Sequence, residues 1–245
     1  MTARASNTEP VDILAVAAHR DDVEQTCGGT LLKMAGLGHS TGILDLTRGE
    51  LGTRGSANER AREAEAAARI LKVSWREALD IPDGRVENNY ENRIKVATVV
   101  RRLKPRVVVL PYWKGRHPDH YTCATLGYEA CFLAGLSKLE MDELAPHRPF
   151  KIVYASLYYD VRPTFVVDIT AQFEQRMEAL FAYATQFTDQ EAGKDLFPAR
   201  AEIRERVAAM ATFYGMLAGV KYGEPFVQKE VGLVDDLMQV PVKSL

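Results

Sequence analysis

Short, continuous apolar runs alternate with amphipathic segments through the first two-thirds of this 245-residue chain, and this alternation constrains the fold more than any other feature. Residues 12–18 and 106–110 form apolar runs that are typical of strands buried on both faces, and residues 41–46 and 75–79 are predicted as two further strands. Strands that alternate with helices form parallel sheets, because each crossover helix returns the chain to the same end of the sheet. The pattern therefore predicts an α/β fold with a Rossmann-like, mostly parallel sheet flanked by helices.

Helical segments lie between and after these runs. They are predicted at residues 28–37, 58–71, 91–103 and 120–134. Gly38 ends the first helix at a position that often needs a left-handed residue, and Asn58 is the predicted N-cap of the second. The last third of the chain has two predicted strands and two predicted helices, at residues 152–158, 165–169, 172–185 and 200–217.

Residues 222–245 give mixed signals, so no element is predicted there. The chain contains no internal repeat, no low-complexity segment and no long linker rich in Gly, Ser or Pro. We therefore expect a single domain over residues 1–245, with a flexible N-terminus at residues 1–10.

The charge and the cysteine content argue against several classes of protein. A formal net charge of -2 gives no electrostatic basis for binding nucleic acid or an anionic membrane. No apolar run approaches the ~18 residues that a membrane span needs, and residues 1–10 lack the apolar core of a signal peptide. Three cysteines, an odd number, argue against a disulfide framework, so a cytoplasmic protein with free thiols is expected.

Two polar clusters follow two of the predicted strands and carry three of the five histidines. His19–Asp22 follows the first strand, and His117–His120 follows the strand at 106–110. Ligands of open α/β sheets gather at the carboxyl ends of the strands, so both loops are expected to meet there in one active site. Imidazole and carboxylate are ligands of catalytic zinc, and iron(II) accepts them too. The clusters predict one split metal site with a spare carboxylate, which indicates metal-assisted hydrolysis of a substrate.

Spacing alone does not assign roles within the two clusters. Either Asp21 or Asp22 can bind the metal, and the other carboxylate can then take a proton from water. In the same way, either His117 or His120 can be the metal ligand, and the other imidazole can then stabilise an oxyanion. The alternative is that neither cluster is catalytic. The aspartates would then cap the following helix, and the histidines would lie on a surface loop. The presence of both clusters at matching strand ends favours the metal site.

Residues 18–24, with Gly28-Gly29-Thr30 after them, and residues 116–120 form two ordered motifs. They resemble the two motifs of the LmbE/PIG-L-type zinc deacetylases, and the resemblance extends over roughly residues 12–225. Two further segments resemble that family, at residues 45–55 and 59–64. Three segments resemble the branch that deacetylates N-acetylglucosaminyl-malate in bacillithiol synthesis, at residues 146–149, 163–169 and 182–187.

The resemblance implies a zinc-dependent N-deacetylase that hydrolyses the acetyl amide of an N-acetylglucosamine conjugate, with N-acetylglucosaminyl-malate as the expected substrate. It implies that zinc is held by His19, Asp22 and His120. Asp21 is then the general base that later passes its proton to the leaving amine, and His117 stabilises charge on the substrate carbonyl. The resemblance also implies a homo-oligomer.

Two arginines carry the implied contacts with the small-molecule substrate. Arg60, at the start of its helix, would contact sugar hydroxyls. Arg148 matches a mobile arginine near the family site and would meet a substrate carboxylate, since a guanidinium binds one bidentately. Arg20 stands where the family often has Pro and is expected to point to solvent. Cys27 is expected to be a small buried hydrophobe and not a metal ligand.

Three alternatives compete with this reading. Within the family, the same deacetylation can act on another N-acetylated amino sugar. A non-catalytic nucleotide-binding module needs a phosphate-binding fingerprint after the first strand, and the sequence lacks one. A metal-dependent phosphoesterase usually needs a second metal and a denser set of Asp and His than a chain with five histidines offers.

Overall fold

The computed structural model describes residues 9–156, 159–188 and 198–242. The described strands are β1 (Ile13–Ala17), β2 (Thr41–Asp45), β3 (Trp75–Ala78), β4 (Val107–Pro111), β5 (Lys151–Ala155), β6 (Phe165–Asp168) and β7 (Gly223–Val227). Residues 1–8 of the expected flexible N-terminus lie outside the described residues, as do residues 157–158 of the strand expected at 152–158.

Helices lie between these strands. The described α-helices are α1 (Asp22–Thr26), α2 (Gly28–Gly36), α3 (Ala57–Ile70), α4 (Tyr90–Leu103), α5 (Pro118–Ala134), α6 (Phe173–Phe181), α7 (Ala184–Phe187) and α8 (Arg200–Leu217). A short 3₁₀ helix follows at Leu237–Gln239. Over the ranges that the structure describes, no helix combines the length and the apolar character that a membrane span requires.

The strands form one sheet in the order β3-β2-β1-β4-β5-β7-β6. The first five are mutually parallel, and β7 runs antiparallel to both of its neighbours. The predicted α/β fold with a mostly parallel sheet flanked by helices is confirmed. The chain runs from β1 to β2 and β3 on one side, then crosses to β4 on the other side of β1. A crevice therefore opens at the carboxyl ends of β1 and β4, where the strand order reverses.

The strand β1 separates two parts of the hydrophobic core. Leu14 and Val16 pack in the cluster beneath α4 and α5, whereas Ile13, Ala15 and Ala17 pack in the cluster beneath α1 and α2. All five residues are buried, which explains the unbroken apolar run in the sequence. Because both faces of β1 are covered, the direction in which the chain leaves the strand towards the crevice is fixed by packing.

The helix α3 begins with a different cap from the predicted one. The Ser56 hydroxyl accepts a hydrogen bond from the backbone N–H of Glu59 at 3.3 Å, and the Glu59 carboxylate accepts one from the N–H of Ser56 at 2.8 Å. This capping box satisfies two N–H groups that the helix itself leaves free. Asn58 lies inside the first turn, so the prediction that it caps the helix is wrong. The cap fixes the start of the helix that carries Arg60.

The strand β7 has no clear signal in the sequence because Pro225 and the charged Glu224 interrupt its apolar residues. Pro225 is tolerated because β5 pairs only with Phe226 and Val227, so no β5 carbonyl needs an N–H at the position of Pro225. Glu224 is buried because its carboxylate accepts the N–H groups of Gly29 and Thr30 at 2.9 and 2.7 Å. A carboxylate at a helix start is stabilised by the helix dipole, so β7 is tied to α2.

The helix predicted at residues 172–185 is divided into α6 and α7, because the chain leaves helical geometry at Tyr183. The side chain of Tyr183 is fully buried, and its hydroxyl donates to the backbone carbonyl of Arg20. Because the helix is interrupted here, the side chain of Tyr183 contacts the loop that follows β1.

Candidate metal centre and active site

The two polar clusters meet in the crevice between β1 and β4. His19 lies two residues after β1, and Asp22 opens α1. His117 is the N-cap of α5 and Pro118 its first residue, which suits proline because the missing N–H would have no helical partner. His120 follows in the first turn, and its ring stacks on that of His117 with centroids 4.7 Å apart. The predicted convergence of the two loops is therefore observed.

Three of the predicted residues place potential ligand atoms at the corners of a small triangle. His19 Nδ1 lies 3.1 Å from His120 Nε2, and His120 Nε2 lies 3.1 Å from Asp22 Oδ1. On the third side, His19 Nδ1 lies 3.5 Å from the other oxygen of the Asp22 carboxylate, Oδ2. Ligand atoms at ~2.0–2.1 Å from a tetrahedral zinc ion lie about 3.3–3.4 Å from one another. The donor types and the separations therefore fit a single metal ion such as zinc.

His19 is oriented by two more carboxylates. Its Nε2 lies 3.1 Å from Asp83 Oδ1 and 3.3 Å from Asp119 Oδ2. Such contacts keep the proton on Nε2 and leave the lone pair on Nδ1 for a metal. Both carboxylates are fixed in turn by backbone N–H groups, Asp83 by that of Leu51 at 3.0 Å and Asp119 by that of Gly84 at 2.8 Å.

The electrostatics of the triangle favour a cation. Burial lowers the pKa of His19, but its hydrogen bonds to Asp119, Asp22 and Asp83 outweigh burial and raise this pKa to about 12. Burial raises the pKa of Asp22, but the charges of His120 and His19 and their hydrogen bonds hold it well below its usual value. The carboxylates thus stabilise positive charge at this position, whether it is a proton on an imidazole or a metal ion between the ligands.

Asp21, the predicted base, lies beside this triangle and is held by two donors. Its Oδ1 accepts from Arg60 Nη2 at 2.7 Å, and its Oδ2 accepts from Gln25 Nε2 at 3.2 Å. The Arg60 guanidinium also donates from Nη1 to the backbone carbonyl of Gly49 at 3.3 Å. Gly49 has φ +68°, and a Cβ there would lie 2.2 Å from Arg60 Nη1, so the close approach requires glycine.

Arg60, predicted to contact the sugar, is therefore placed next to the predicted base. It is only 4% exposed, and both of its terminal nitrogens are engaged by the protein. The structure brings Arg60 to the site, but its observed partner is the Asp21 carboxylate.

The tautomer of His117 follows from its place as the N-cap of α5. Its Nδ1 accepts the backbone N–H of Asp119 at 3.2 Å, which leaves the proton of the neutral ring on Nε2. Burial and the neighbouring charges of His19 and His120 lower the pKa of His117 below its usual value. The ring is therefore neutral at pH 7, and its Nε2–H remains a donor.

Arg148 is not brought to the site, which corrects the prediction of a substrate contact there. It precedes β5, at the amino end of a strand that is parallel to β1 and β4, whereas the histidines follow the carboxyl ends. Its guanidinium stacks over Phe132 near the end of α5, 4.9 Å from the ring centroid. A five-residue strand spans ~17 Å, so the length of β5 separates Arg148 from the crevice.

A buried ionic network lies beneath the loop that follows β1, and sequence reasoning did not identify it. Arg76 on β3 contacts Glu24 at 2.7 Å and Asp45 at 2.9 Å, and all three side chains are nearly inaccessible to solvent. Arg76 also donates to the backbone carbonyl of Arg20, which accepts from Tyr183 as well. The sequence did contain an indication of this network. Asp45 and Arg76 are charged residues on adjacent strands of a buried sheet, and buried charges need partners.

Arg20 itself does not point to solvent, so that expectation is wrong. It is 9% exposed, and its Nη1 donates to the carbonyl of Ala57 at 2.8 Å. The residue that replaces the family's Pro thus ties the loop after β1 to the start of α3. Cys27 is buried as expected, and burial raises the pKa of its thiol, which disfavours the thiolate that a metal would need.

Comparison with known proteins relates this chain to deacetylases. A family model described as PIG-L, GlcNAc-PI de-N-acetylase, matches residues 14–131. Diacetylchitobiose deacetylase of Thermococcus kodakarensis is 31% identical over 225 residues, which cover 86% of this chain and 80% of that protein. 4-Oxalmesaconate hydratase of Pseudomonas putida is 27% identical over 206 residues, which cover 75% of this chain and 77% of that protein. The crystal structure of a conserved protein from Thermus thermophilus is 39% identical with a TM-score of 0.83, covering 91% of this chain and 97% of that one.

Proposed function

The chain belongs to the PIG-L family of N-acetylglucosaminyl deacetylases. We propose that it is a metal-dependent hydrolase that removes the acetyl group from an N-acetylated amino sugar. One observation carries the proposal. His120 Nε2 lies 3.1 Å from both His19 Nδ1 and Asp22 Oδ1, and the carboxylate of Asp21 is next to these ligands in the chain. This combination of a three-ligand site and a separate base suits the hydrolysis of an amide.

In the proposed mechanism, His19, Asp22 and His120 would hold a zinc ion, for which iron(II) could substitute. When bound, the metal polarises the substrate carbonyl and makes a water molecule more acidic. Asp21 accepts the proton of the attacking water and later delivers it to the nitrogen of the leaving amino sugar. Arg60 and Gln25 keep the Asp21 carboxylate in one orientation for both transfers, since each of its oxygens accepts one of their hydrogen bonds.

His117 stabilises the charge that develops on the acetyl oxygen. Its Nε2–H is a donor in the neutral ring, so it can donate a hydrogen bond to that oxygen without first gaining a proton. The hydrogen bond from the Asp119 backbone fixes the tautomer before substrate binds. Such a donor stabilises the transition state more than the ground state, because the negative charge on oxygen is largest there.

We propose N-acetylglucosaminyl-malate of bacillithiol biosynthesis as the substrate, on the resemblance of residues 146–149, 163–169 and 182–187. With Arg148 at the other end of β5, the malate carboxylates would meet Lys114 and Arg116, which are exposed in the loop before His117. N,N′-diacetylchitobiose is the alternative, since a relative that covers most of this chain is named as its deacetylase.

The test is amine release from N-acetylglucosaminyl-malate, N,N′-diacetylchitobiose and free N-acetylglucosamine, with the metal content measured on the same sample. We expect one metal per chain, turnover of a conjugate above that of the free sugar, and loss of both metal and turnover in His120→Ala. A metal-loaded sample that releases no amine from any of the three sugars would contradict the proposed deacetylation. Equal metal in both preparations would remove His120 from the ligand set.

Hydration of a carbon–carbon double bond is the second candidate, because 4-oxalmesaconate hydratase is similar to this chain over 206 residues. The same three ligands and the same base would serve, since addition of water to an alkene also needs an activated water. The assay therefore includes 4-oxalmesaconate. Its consumption without amine release from any sugar would replace the deacetylase by a hydratase.

We further propose that residues 1–245 form one domain and that the reaction takes place in the cytoplasm. The continuous seven-stranded sheet supports the first of these proposals. The second is supported by Cys27, Cys123 and Cys131, which are all free thiols.

A further inference from the structure

The side chain of Lys229, just after β7, lies among three aromatic rings. Its Nζ is 4.6 Å from the ring centroid of Tyr128, 4.8 Å from that of Trp113 and 4.9 Å from that of Tyr154. The negative face of an aromatic ring attracts an ammonium within about 6 Å of its centroid. Lys229 meets this condition with three rings at once, so its charge draws together the elements that carry them.

The three rings belong to three different parts of the structure. Tyr154 lies on β5 and is only 1% exposed, and Tyr128 lies on α5. Trp113 lies instead in the segment between β4 and α5, and its ring meets that of Tyr154 edge to face, with centroids 4.7 Å apart. Lys229 therefore ties a loop residue to a buried strand and to a helix of the core.

Trp113 is placed where the chain leaves the sheet towards the active site. The preceding residue, Tyr112, still pairs with β5, because its N–H donates to the carbonyl of Ala155 at 2.8 Å. Residues 114–117 then lead to α5 and end with its N-cap, His117. A segment this short adopts few conformations when both of its ends are held. The ring of Trp113 holds the first end, and the helix holds the second.

We propose that Lys229 is a positioning residue for His117. Its ammonium holds the ring of Trp113 against the two tyrosine rings, and this contact fixes residues 114–117 so that the His117 ring meets the substrate carbonyl in one orientation. This role rests on the proposed function, in which His117 stabilises the oxyanion. A donor of that kind is effective only while it is held in place, because a ring that turns away no longer meets the developing charge.

A lysine can stabilise aromatic rings through its methylene groups as well as through its charge, so two variants separate these contributions. Lys229→Met keeps an unbranched apolar side chain and removes the ammonium, whereas Lys229→Arg keeps a cation that stacks on aromatic faces. Lys221→Met is the matched control, because Nζ of Lys221 lies 4.9 Å from the ring centroid of Tyr222, its neighbour in the chain. That contact is of the same kind but joins adjacent residues.

The first test is amide hydrogen exchange of the full chain, measured by mass spectrometry, which needs no substrate. In Lys229→Met the amides of residues 112–120 should exchange about ten-fold faster than in wild type, because loss of the contact makes local opening easier. Lys229→Arg and Lys221→Met should keep the wild-type rate. An unchanged rate in Lys229→Met would overturn the proposal. Faster exchange throughout the chain would show a general loss of stability and would overturn it too.

The second test is steady-state kinetics on the sugars that the wild-type chain deacetylates, with metal content measured on the same preparation. Lys229→Met should lower kcat about ten-fold, less than removal of the His117 ring, because the loosened ring still meets the oxyanion for part of the time. KM should stay within about two-fold. The metal content should stay at the wild-type level, since His120 is held inside α5. Lys229→Arg should restore kcat.

Several outcomes of the kinetic test would overturn the proposal. Wild-type kcat in Lys229→Met would show that His117 keeps its position without the ammonium, and loss of metal would place the effect on the ligands. A rise in KM limited to N-acetylglucosaminyl-malate would place it on Lys114 and Arg116. If the wild-type chain releases no amine from any sugar, the proposed function fails and the role of His117 with it, whereas the exchange of residues 112–120 still shows separately whether Lys229 holds the loop.

Discussion

The loop that follows β1 (residues 18–22, the β1 loop) and the loop that follows β4 (residues 112–120, the β4 loop) both bring candidate ligands to the crevice, but they are held differently. In the β1 loop, His19, Arg20 and Asp22 are each less than a tenth exposed, and the Arg20 carbonyl is held from below by buried side chains. In the β4 loop, His117 and His120 are positioned by the first turn of α5, and their rings are more open to solvent.

The difference separates two tasks. A loop fastened by buried charges cannot shift without leaving those charges unpaired, so it suits groups that need a fixed geometry, namely two metal ligands and a base. A loop at an open helix start suits a group that must reach the substrate. We therefore expect changes beneath the β1 loop to alter stability and metal binding. Changes at the open position of the β4 loop should alter turnover far more than metal binding.

The largest expected effect is that of Asp21→Asn, which tests whether the β1 loop carries the base. An amide cannot accept the proton, although it keeps the size of the side chain, so kcat should fall by about a hundred- to ten-thousand-fold. The metal content should stay at the wild-type level, because Asp21 lies outside the ligand triangle. Steady-state kinetics with elemental analysis on one preparation checks both. Near-normal kcat would move the base away from the β1 loop.

The next effect in size is that of Arg76→Met on the free energy of unfolding. Removal of the guanidinium leaves Glu24 and Asp45 buried without their cation, which should cost about 3–5 kcal/mol in urea denaturation at pH 7. Arg206→Met is the matched control, because Arg206 pairs with Glu202 on an exposed helix face and should cost at most ~0.5 kcal/mol.

The same variant should depend on pH in a defined direction. Burial already raises the pKa of Glu24 to about 7 although Arg76 opposes this, so loss of Arg76 raises it further. The variant then keeps its Glu24 proton at pH values where wild-type Glu24 has lost it, so its deficit relative to wild type should shrink as the pH falls from about 9 to about 7. A deficit that is constant from about pH 7 to about pH 9 would show that packing of the side chain matters more than its charge.

Much of the fold and the pairing of the two histidine loops could be predicted because each rests on a local rule. Continuous apolar runs identify buried strands, and parallel strands place their carboxyl ends at one edge, which is enough to bring His19 and His120 together. Asp83 could not be predicted, since it reaches His19 from the loop after β3, where no spacing rule points to it. Arg148 shows the opposite failure, because similarity of a segment does not reveal which end of a strand it adjoins.

His117→Ala tests the task assigned to the β4 loop. Loss of an oxyanion donor typically lowers kcat by about a hundred- to a thousand-fold. The free energy of unfolding should fall by about 0.5–2 kcal/mol, because the variant loses the side-chain acceptor that caps α5. Titration with zinc and urea denaturation complete the measurement. Loss of the metal in this variant, but not in His120→Ala, would exchange the two histidines.

Asp83→Asn has a smaller expected effect and measures how far the buried support of His19 matters. An amide can turn its NH₂ towards His19 Nε2, which removes one of the two acceptors that fix the tautomer. Loss of such support typically lowers metal affinity by about ten- to a hundred-fold. Competition with a chelator measures this affinity. An unchanged affinity would leave Asp119 as the sole partner that orients His19.

Arg60→Lys has the smallest expected effect and decides between two roles for one residue. Lysine keeps the positive charge but cannot reach Asp21 and the Gly49 carbonyl with two fixed donors. If Arg60 positions the base, kcat should fall by about ten-fold, near the lower end for hydrogen bonds to charged groups, while KM stays constant.

A sugar contact of Arg60 would raise KM instead, and would do so for every N-acetylated sugar. Gln25→Ala is the matched control, because it removes the neutral donor to the other Asp21 oxygen and should lower kcat only a few-fold. A rise in KM with constant kcat in Arg60→Lys would return this arginine to the substrate. Of the two donors to Asp21, only Gln25 would then position the base. The β1 loop would be less rigidly held than the contrast with the β4 loop requires.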